Sequence, residues 1–212
     1  MVNRENYEKS ATKENVLTDD EIEALLDAIK TMYEEFVVKG LLYTGLRESA
    51  FHHMKESWVD FDRRLIRVPR KQRCMVCDSC KKPRYTKSGN ETKAANTWVP
   101  KTSAGTRTIP MVPEVQEILD WYFNQQGHKT VIEQYRWRQN LYNTVRKVGK
   151  RAKIDHPVFP HALRGTFATI LAKKDFDMWE IKDTLGWKTI QPAIFYINLA
   201  GEQIKKSFEE KW

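Results

Sequence analysis

The segment Phe159-Pro160-His161-Ala162-Leu163-Arg164 sets an imidazole and a guanidinium three residues apart. Proline suits the first turn of a helix, so His161 and Arg164 are expected one turn apart on one face, near a helix N-terminus. Free amide donors and the helix dipole attract anions there, and arginine offers a planar fork matched to phosphate oxygens. A second arginine, Arg47, follows Thr44-Gly45-Leu46 at the end of an apolar run. A half-buried cation in such a place is costly without an anionic partner. Downstream, Leu185-Gly186-Trp187 ends 23 residues past Arg164, and Tyr196 lies nine residues past Trp187.

The second chemistry-bearing cluster is Cys74-Met-Val-Cys77-Asp-Ser-Cys80, which holds all three cysteines of the chain. Three thiols in one CxxCxxC run are no disulfide framework, and the spacing lies within reach of one metal ion. A structural zinc needs a fourth ligand. No histidine is near in sequence, so His52, His53 or His128 would have to be delivered by folding. The alternative is three unligated thiols in a basic loop.

Positioning these groups falls to a mostly helical chain. Thr18-Asp-Asp-Glu21 is a capping box, and Ile22, Leu25, Leu26 and Ile29 repeat as one helix face. The apolar stretch Phe36–Tyr43 runs into the turn at Gly45, and helix resumes over Glu48–Lys55. Trp58–Asp62, Leu65–Val68, Asn96–Pro100 and Thr106–Pro110 are short β-prone runs, predicting a small antiparallel sheet or long hairpin. Residues 70–95 between them read as a polar, basic loop. Helices are predicted around Val115–Tyr122 and over Asn140–Lys153, Ala162–Lys173, Met178–Leu185, Gln191–Leu199 and Glu202–Lys211. Residues 1–16 read as a flexible lead-in and 201–212 as a tail helix. The fold class expected is mainly α with a small antiparallel β-sheet.

The chain has 212 residues with a net charge of +8, and 41% hydrophobic against 30% charged residues, which is globular usage. No apolar run is long enough to span a membrane, and the first residues lack the apolar core of a secretory signal. A soluble, cytoplasmic protein is expected. Its positive charge is concentrated: residues 62–107 hold 13 Lys and Arg against 3 Asp and Glu. A basic helix carrying Arg146, Lys147, Lys150 and Arg151 is a second candidate for a nucleic-acid groove, or a solvated face.

In order and spacing, Thr-Gly-Leu-Arg47, His161-Ala-Leu-Arg164, Leu-Gly-Trp187 and Tyr196 resemble the motifs of the tyrosine recombinase (phage-type integrase) catalytic domain. The resemblance runs from about Leu17 to Leu199. It implies site-specific cleavage and rejoining of double-stranded DNA through a 3′-phosphotyrosyl intermediate, by a homo-oligomer (a tetramer) on DNA and with no cofactor required. Tyr196 would be the nucleophile, Arg47 and Arg164 would hold the non-bridging oxygens, and His161 would relay the tyrosine proton. Trp187 would donate to a phosphate oxygen. A hairpin lysine would protonate the leaving 5′-oxygen; Lys101, within a Lys-Thr…Arg-x-Ile-Pro pattern, is preferred to Lys71. The alternatives are cleavage of the type IB topoisomerase kind and a non-catalytic DNA-binding accessory protein.

The chain departs from the pattern in three places. Ala50 stands where an acidic residue is common, leaving open what orients Arg47, and Gly165 stands where His or Arg is usual. The N-terminal core-binding domain common in the family is not recognisable. The sequence is then either a piece of a longer protein or a single-domain enzyme.

Overall fold

A computed structural model describes residues 15–211. Thr18 opens helix α1 (Asp19–Asp27) with the expected reciprocal cap. Its hydroxyl accepts from the Glu21 amide at 3.3 Å, and the Glu21 carboxylate accepts from the Thr18 amide at 2.8 Å. Most of the predicted lead-in lies outside the described residues, and its end is packed. Asn15 and Val16 are buried, and the Leu17 amide donates to Thr166 Oγ1 at 3.0 Å. The boundary expected at residue 17 is therefore too late, because Val16 and Leu17 have apolar surface to bury.

Helix α2 (Met32–Thr44) is apolar nearly all round and sits at the centre, with Phe36, Val37, Val38, Leu41 and Leu42 fully buried. Gly45 ends it in the left-handed conformation, and Arg47 caps the short helix α3 (Glu48–His52). Strands β1 (Val59–Asp60) and β2 (Leu65–Val68) form an antiparallel pair, and β2 continues onto a strand from beyond residue 100, β7 (Arg107–Pro110). Ile66 pairs with Ile109, and both point into the core.

Between β2 and β7 the chain makes an excursion that is ordered, where the sequence predicts a loop. Strand β3 (Gln72–Arg73) pairs with β6 (Thr97–Trp98), and β4 (Arg84–Tyr85) pairs with β5 (Glu91–Lys93), while α4 (Asp78–Lys81) lies between β3 and β4. These pieces are too short to show a hydrophobic period, which is why composition alone reads them as loop.

Helix α5 (Pro113–Asp120) and a π-helical turn (Trp121–Gln125) follow, the latter stacking Tyr122 on Phe36 with ring centroids 3.9 Å apart. Then come α6 (Val131–Gln134), α7 (Arg138–Arg151), α8 (Pro160–Lys173) and α9 (Met178–Leu185). Helices α5, α7 and α8 pack on α2. Arg151 and Lys147 of the basic helix α7 turn inward to Glu34 of α2. Arg151 grips both carboxylate oxygens at 2.8 Å, and Lys147 reaches one at 3.3 Å. Arg151 is thus a structural tie, while Lys147 reaches the same carboxylate from a side chain that stays 71% exposed.

The last helix, α10 (Gln191–Lys211), is continuous where two helices are predicted. Gly201 lies inside it; a helical glycine costs about 1 kcal/mol relative to alanine and need not break a helix. α10 packs along α8 and α9. The expected class, mostly helical with small antiparallel sheets, is what the chain adopts. No helix among the described residues is long and apolar enough to cross a membrane.

Candidate active site

Three consecutive carbonyls at the C-terminus of α9 each receive one arginine. Arg107 Nε donates to Thr184 O at 2.6 Å, Arg164 Nη2 donates to Leu185 O, and Arg47 Nη2 donates to Gly186 O at 3.3 Å. Arg164 also donates through Nη1 to Gly45 O, so one planar guanidinium bridges the C-terminal ends of α2 and α9. A helix C-terminus leaves carbonyls unpaired and carries the negative end of the helix dipole, which suits cations. Both helices end in a left-handed glycine, Gly45 at φ 55° and Gly186 at φ 63°, a conformation that L side chains adopt at a cost. Space forbids a side chain as well. A Cβ at position 45 would run into Leu185 and lie 2.7 Å from Phe167 Cδ1, and one at 186 would strike Ala104 O. The glycines of the TGLR and LGW motifs are thus two faces of one joint. The Gly186 carbonyl supplies the orienting acceptor for Arg47 that position 50 lacks.

Among the described residues, no carboxylate forms an ion pair with Arg47, Arg107 or Arg164. Burial depresses the pKa of all three. The charge of Arg47 adds to the depression of Arg107, which falls to about 9, and Arg47 and Arg107 both add to that of Arg164. Arg107 Nη2 is buried with no hydrogen-bond partner. Three cations held on neutral carbonyls form a site whose charge is completed by an incoming anion.

A cavity of about 510 Å³ opens beside them, lined by Arg47, Lys101, Arg107, Arg138 and His161 together with Glu48, which pairs with Arg138 at 3.4 Å, and by Trp98 and Ser49. His161, at the start of α8, is exposed to this space. Crowding by protein atoms, then the positive charges of Arg164, Arg47 and Lys101, push its pKa down to about 4, so the imidazole is neutral at pH 7. Lys101 lies in the turn before the Ser103–Gly105 helical turn that leads into β7. Lys71 instead borders a separate hollow with Arg73 and Asn96. Of the two candidate lysines, the fold brings Lys101 to His161 and Arg47.

Arg164, Trp187 and Tyr196 form a layer behind the cavity wall and do not line it. Tyr196 is 6% exposed, stacked on Trp187 at 5.6 Å and an interplanar angle of 9°, while the Arg164 guanidinium carbon lies 5.6 Å from the Trp187 ring centre. Trp187 therefore contributes its ring as a packing surface for both Tyr196 and Arg164. Burial pushes the Tyr196 phenol up to about 12, with Arg164 opposing. Gly165 has its reason here: a Cβ at that position would sit 2.9 Å from Tyr196 Oη and 3.3 Å from its Cε1. The absent side chain leaves room for the phenol.

Sequence reasoning gave no role to Arg107 or Arg138. Arg107 stood in Thr106-Arg-Thr-Ile-Pro, which served as a β-prone run and as the hairpin pattern around Lys101, with no role of its own. The cysteines come together in a separate place, beside β6 and α3. Cys74, Cys77 and Cys80 are joined there by His53, and not by His52 or His128.

Residues 15–203 match the profile of the phage integrase family. The chain is 23% identical over 192 residues to tyrosine recombinase XerA of Saccharolobus solfataricus, covering 91% of this chain and 55% of that protein. It is 25% identical over 205 residues to an integrase/recombinase of Escherichia coli, covering 87% and 59%. The chain thus spans little more than half the length of these relatives. Among solved structures, the XerA recombinase superposes with a TM-score of 0.67 at 21% identity, covering 92% of this chain and 62% of that one. The Tn1549 transposon integrase bound to transposon right-end DNA superposes at 0.59 with 24% identity, covering 92% and 65%. The fold is shared with both.

Proposed function

The chain belongs to the phage integrase family, and from that premise we propose that it is the catalytic part of a tyrosine recombinase, cutting and rejoining double-stranded DNA at specific sites. The observation that carries the reading is the set of three arginines seated on Thr184, Leu185 and Gly186 carbonyls, without carboxylate partners, next to a stacked tyrosine. A phosphodiester is the anion that fits. Arg47 and Arg107 line the cavity and can meet the phosphate's non-bridging oxygens there. Arg164 and Tyr196, buried outside the lining, have to come forward as DNA binds for Arg164 to take its share of those oxygens.

Tyr196 Oη attacks phosphorus, the phenolic proton passes to His161, the P–O5′ bond breaks, and Lys101 delivers a proton to the departing oxygen. A phenol with its pKa near 12 is not ionised at pH 7, so a base is required, and the neutral imidazole is available for it. Bound phosphate offsets the cations around His161 and so strengthens the imidazole as a base when substrate is present. The phosphotyrosyl ester preserves the energy of the broken linkage, and rejoining reverses the steps without ATP or another cofactor.

The basic excursion between β2 and β7 provides phosphate contacts outside the cavity. Assembly as a tetramer on DNA uses the distal part of α10, where Ile204 and Phe208 are exposed. The setting is the DNA-containing cytoplasm.

A nicked duplex carrying a candidate recombination site traps the covalent intermediate. Intact chain should form a DNA adduct that survives denaturation and vanishes in Tyr196→Phe. DNA binding without any Tyr196-dependent adduct would refute the enzymatic reading.

A further inference from the structure

We propose that His53, Cys74, Cys77 and Cys80 form a closed structural zinc site that fastens the basic excursion to the helix beginning at Arg47. The four donor atoms, three Sγ and the imidazole Nε2, lie within 4.8 Å of one another. Nε2 is 3.2 Å from Cys77 Sγ and 3.4 Å from Cys80 Sγ, and Cys74 Sγ is 3.6 Å from Cys77 Sγ. A tetrahedral zinc with bonds of about 2.3 Å to sulfur and about 2.0 Å to nitrogen separates its sulfurs by about 3.8 Å and sulfur from nitrogen by about 3.5 Å. The gathered atoms already stand close to the edges of that tetrahedron.

Each donor is held by its own backbone. The Cys74 amide donates to Asn96 O at 2.9 Å, pinning the first cysteine across the β3–β6 pair. Cys77 is the N-cap of α4, and the Cys80 amide returns to Cys77 O at 3.0 Å, which turns both thiols to one side. His53 closes α3, and its Nδ1 donates to Ser49 O at 2.7 Å. That bond puts the proton on Nδ1 and leaves the Nε2 lone pair facing the sulfurs, the outer-shell arrangement typical of metal-binding histidines. All four residues are buried, with exposures of 3–8%, and Trp98 stacks on the imidazole at 5.4 Å. Four protein donors in a dry place leave no open coordination position, so the site is structural. Thiolate-rich ligation favours zinc over magnesium or calcium.

Charge and position agree. Zinc with three thiolates and a neutral imidazole carries a net charge of −1. Lys93, itself 5% exposed, brings its ammonium onto the carbonyls of Ser79 at 3.3 Å and Cys80 at 3.0 Å, the backbone of the ligand segment. The excursion has two-residue and three-residue strands and exposes Met75, Val76 and Tyr85, too little apolar burial to hold itself on the body. The anchored end also touches the cavity: Trp98 Nε1 donates to Ser49 Oγ at 3.2 Å, and both residues line it together with His161.

The test uses the whole chain, purified in reductant without chelator. Metal analysis should find one zinc per chain, and exchange with cobalt(II) should give the visible bands and thiolate charge-transfer absorption of a four-coordinate sulfur-rich site. Removing zinc with a chelator should open residues 78–95 to protease while the helical circular dichroism persists. Cys77→Ser should lose the metal; if that variant does not fold, the cobalt spectrum of the unaltered chain decides. Folded chain without stoichiometric zinc, an octahedral cobalt spectrum, or a Cys74–Cys77 disulfide formed in place of metal binding would overturn the proposal.

Discussion

Replacing Gly186 with alanine tests the joint on which the three arginines rest. The substitution has two separable costs. A left-handed backbone at φ 63° disfavours a Cβ by about 1–2 kcal/mol. That Cβ also strikes Ala104 O and lies 3.0 Å from Arg107 Cδ and Nη1, an overpacking worth about 1–3 kcal/mol because a carbonyl on the hairpin must move. Against this stands about 0.4–1 kcal/mol from the stiffer unfolded chain. The net loss is about 1–5 kcal/mol, centred near 3, which for a chain of this size lowers Tm by roughly 6–12 °C at the centre of that range. Gly127 is the matched control, with φ 73° and nothing within 4 Å of its built Cβ, so Gly127→Ala carries the backbone cost alone. Thermal unfolding of both variants isolates the collision as their difference, and adduct formation on a nicked duplex reads its consequence for chemistry. Gly186→Ala should melt well below Gly127→Ala and cleave poorly even at temperatures where it is folded, since the displaced segment carries Arg107 and adjoins Lys101. Equal melting of the two variants would refute the claim that Gly186 makes room for the hairpin.

Lys101→Ala should reduce cleavage by at least a hundredfold while DNA affinity changes little, as expected of a proton donor. Lys71→Ala should do no more than weaken binding in a salt-dependent way; the opposite pattern would assign the leaving-group proton to Lys71. The Glu34–Arg151 tie makes a prediction about pH. Chiefly through the paired Arg151, the Glu34 carboxyl is held down to about 2 from an ordinary value of 4.5. A depressed carboxylate stabilises the fold fully above its unfolded pKa, and that contribution drains away as pH falls through the folded value. Glu34→Gln should therefore cost about 3 kcal/mol at pH 7, taking 1.36 kcal/mol per pKa unit. The deficit should shrink from about pH 4.5 toward pH 2, as read by denaturant titration, and a deficit unchanged at pH 3 would remove the ion pair as its cause.

What the sequence made legible was whatever side chains declare. The cap at Thr18, the apolar helix around Phe36 and the order of the motifs all rest on residue type and spacing. What it concealed was backbone chemistry. The partners of Arg47, Arg107 and Arg164 are carbonyl oxygens, which every residue possesses and no motif marks. The need for Gly165 arises from a phenol 31 positions away, visible only once α8 and α10 are packed. His53 was one histidine of three until α3 was set against β6. The order in residues 70–95 stayed hidden because strands of two or three residues are held by cross-chain pairing and leave no period to read.

The uninterrupted course of α10 gives the molecule a mechanical property. Tyr196 stands near one end of the helix and Phe208 near the other, about 18 Å along a single rod. While the helix stays continuous through Gly201, force applied to the far end arrives at the phenol as tilt or rotation. Around that phenol the tolerance is small, with Gly165 on one side and the Trp187 ring on another. A neighbour gripping the distal turns would hold a lever whose short arm carries Tyr196, and, under the proposed mechanism, the timing of strand cleavage would be set by whoever holds the long arm.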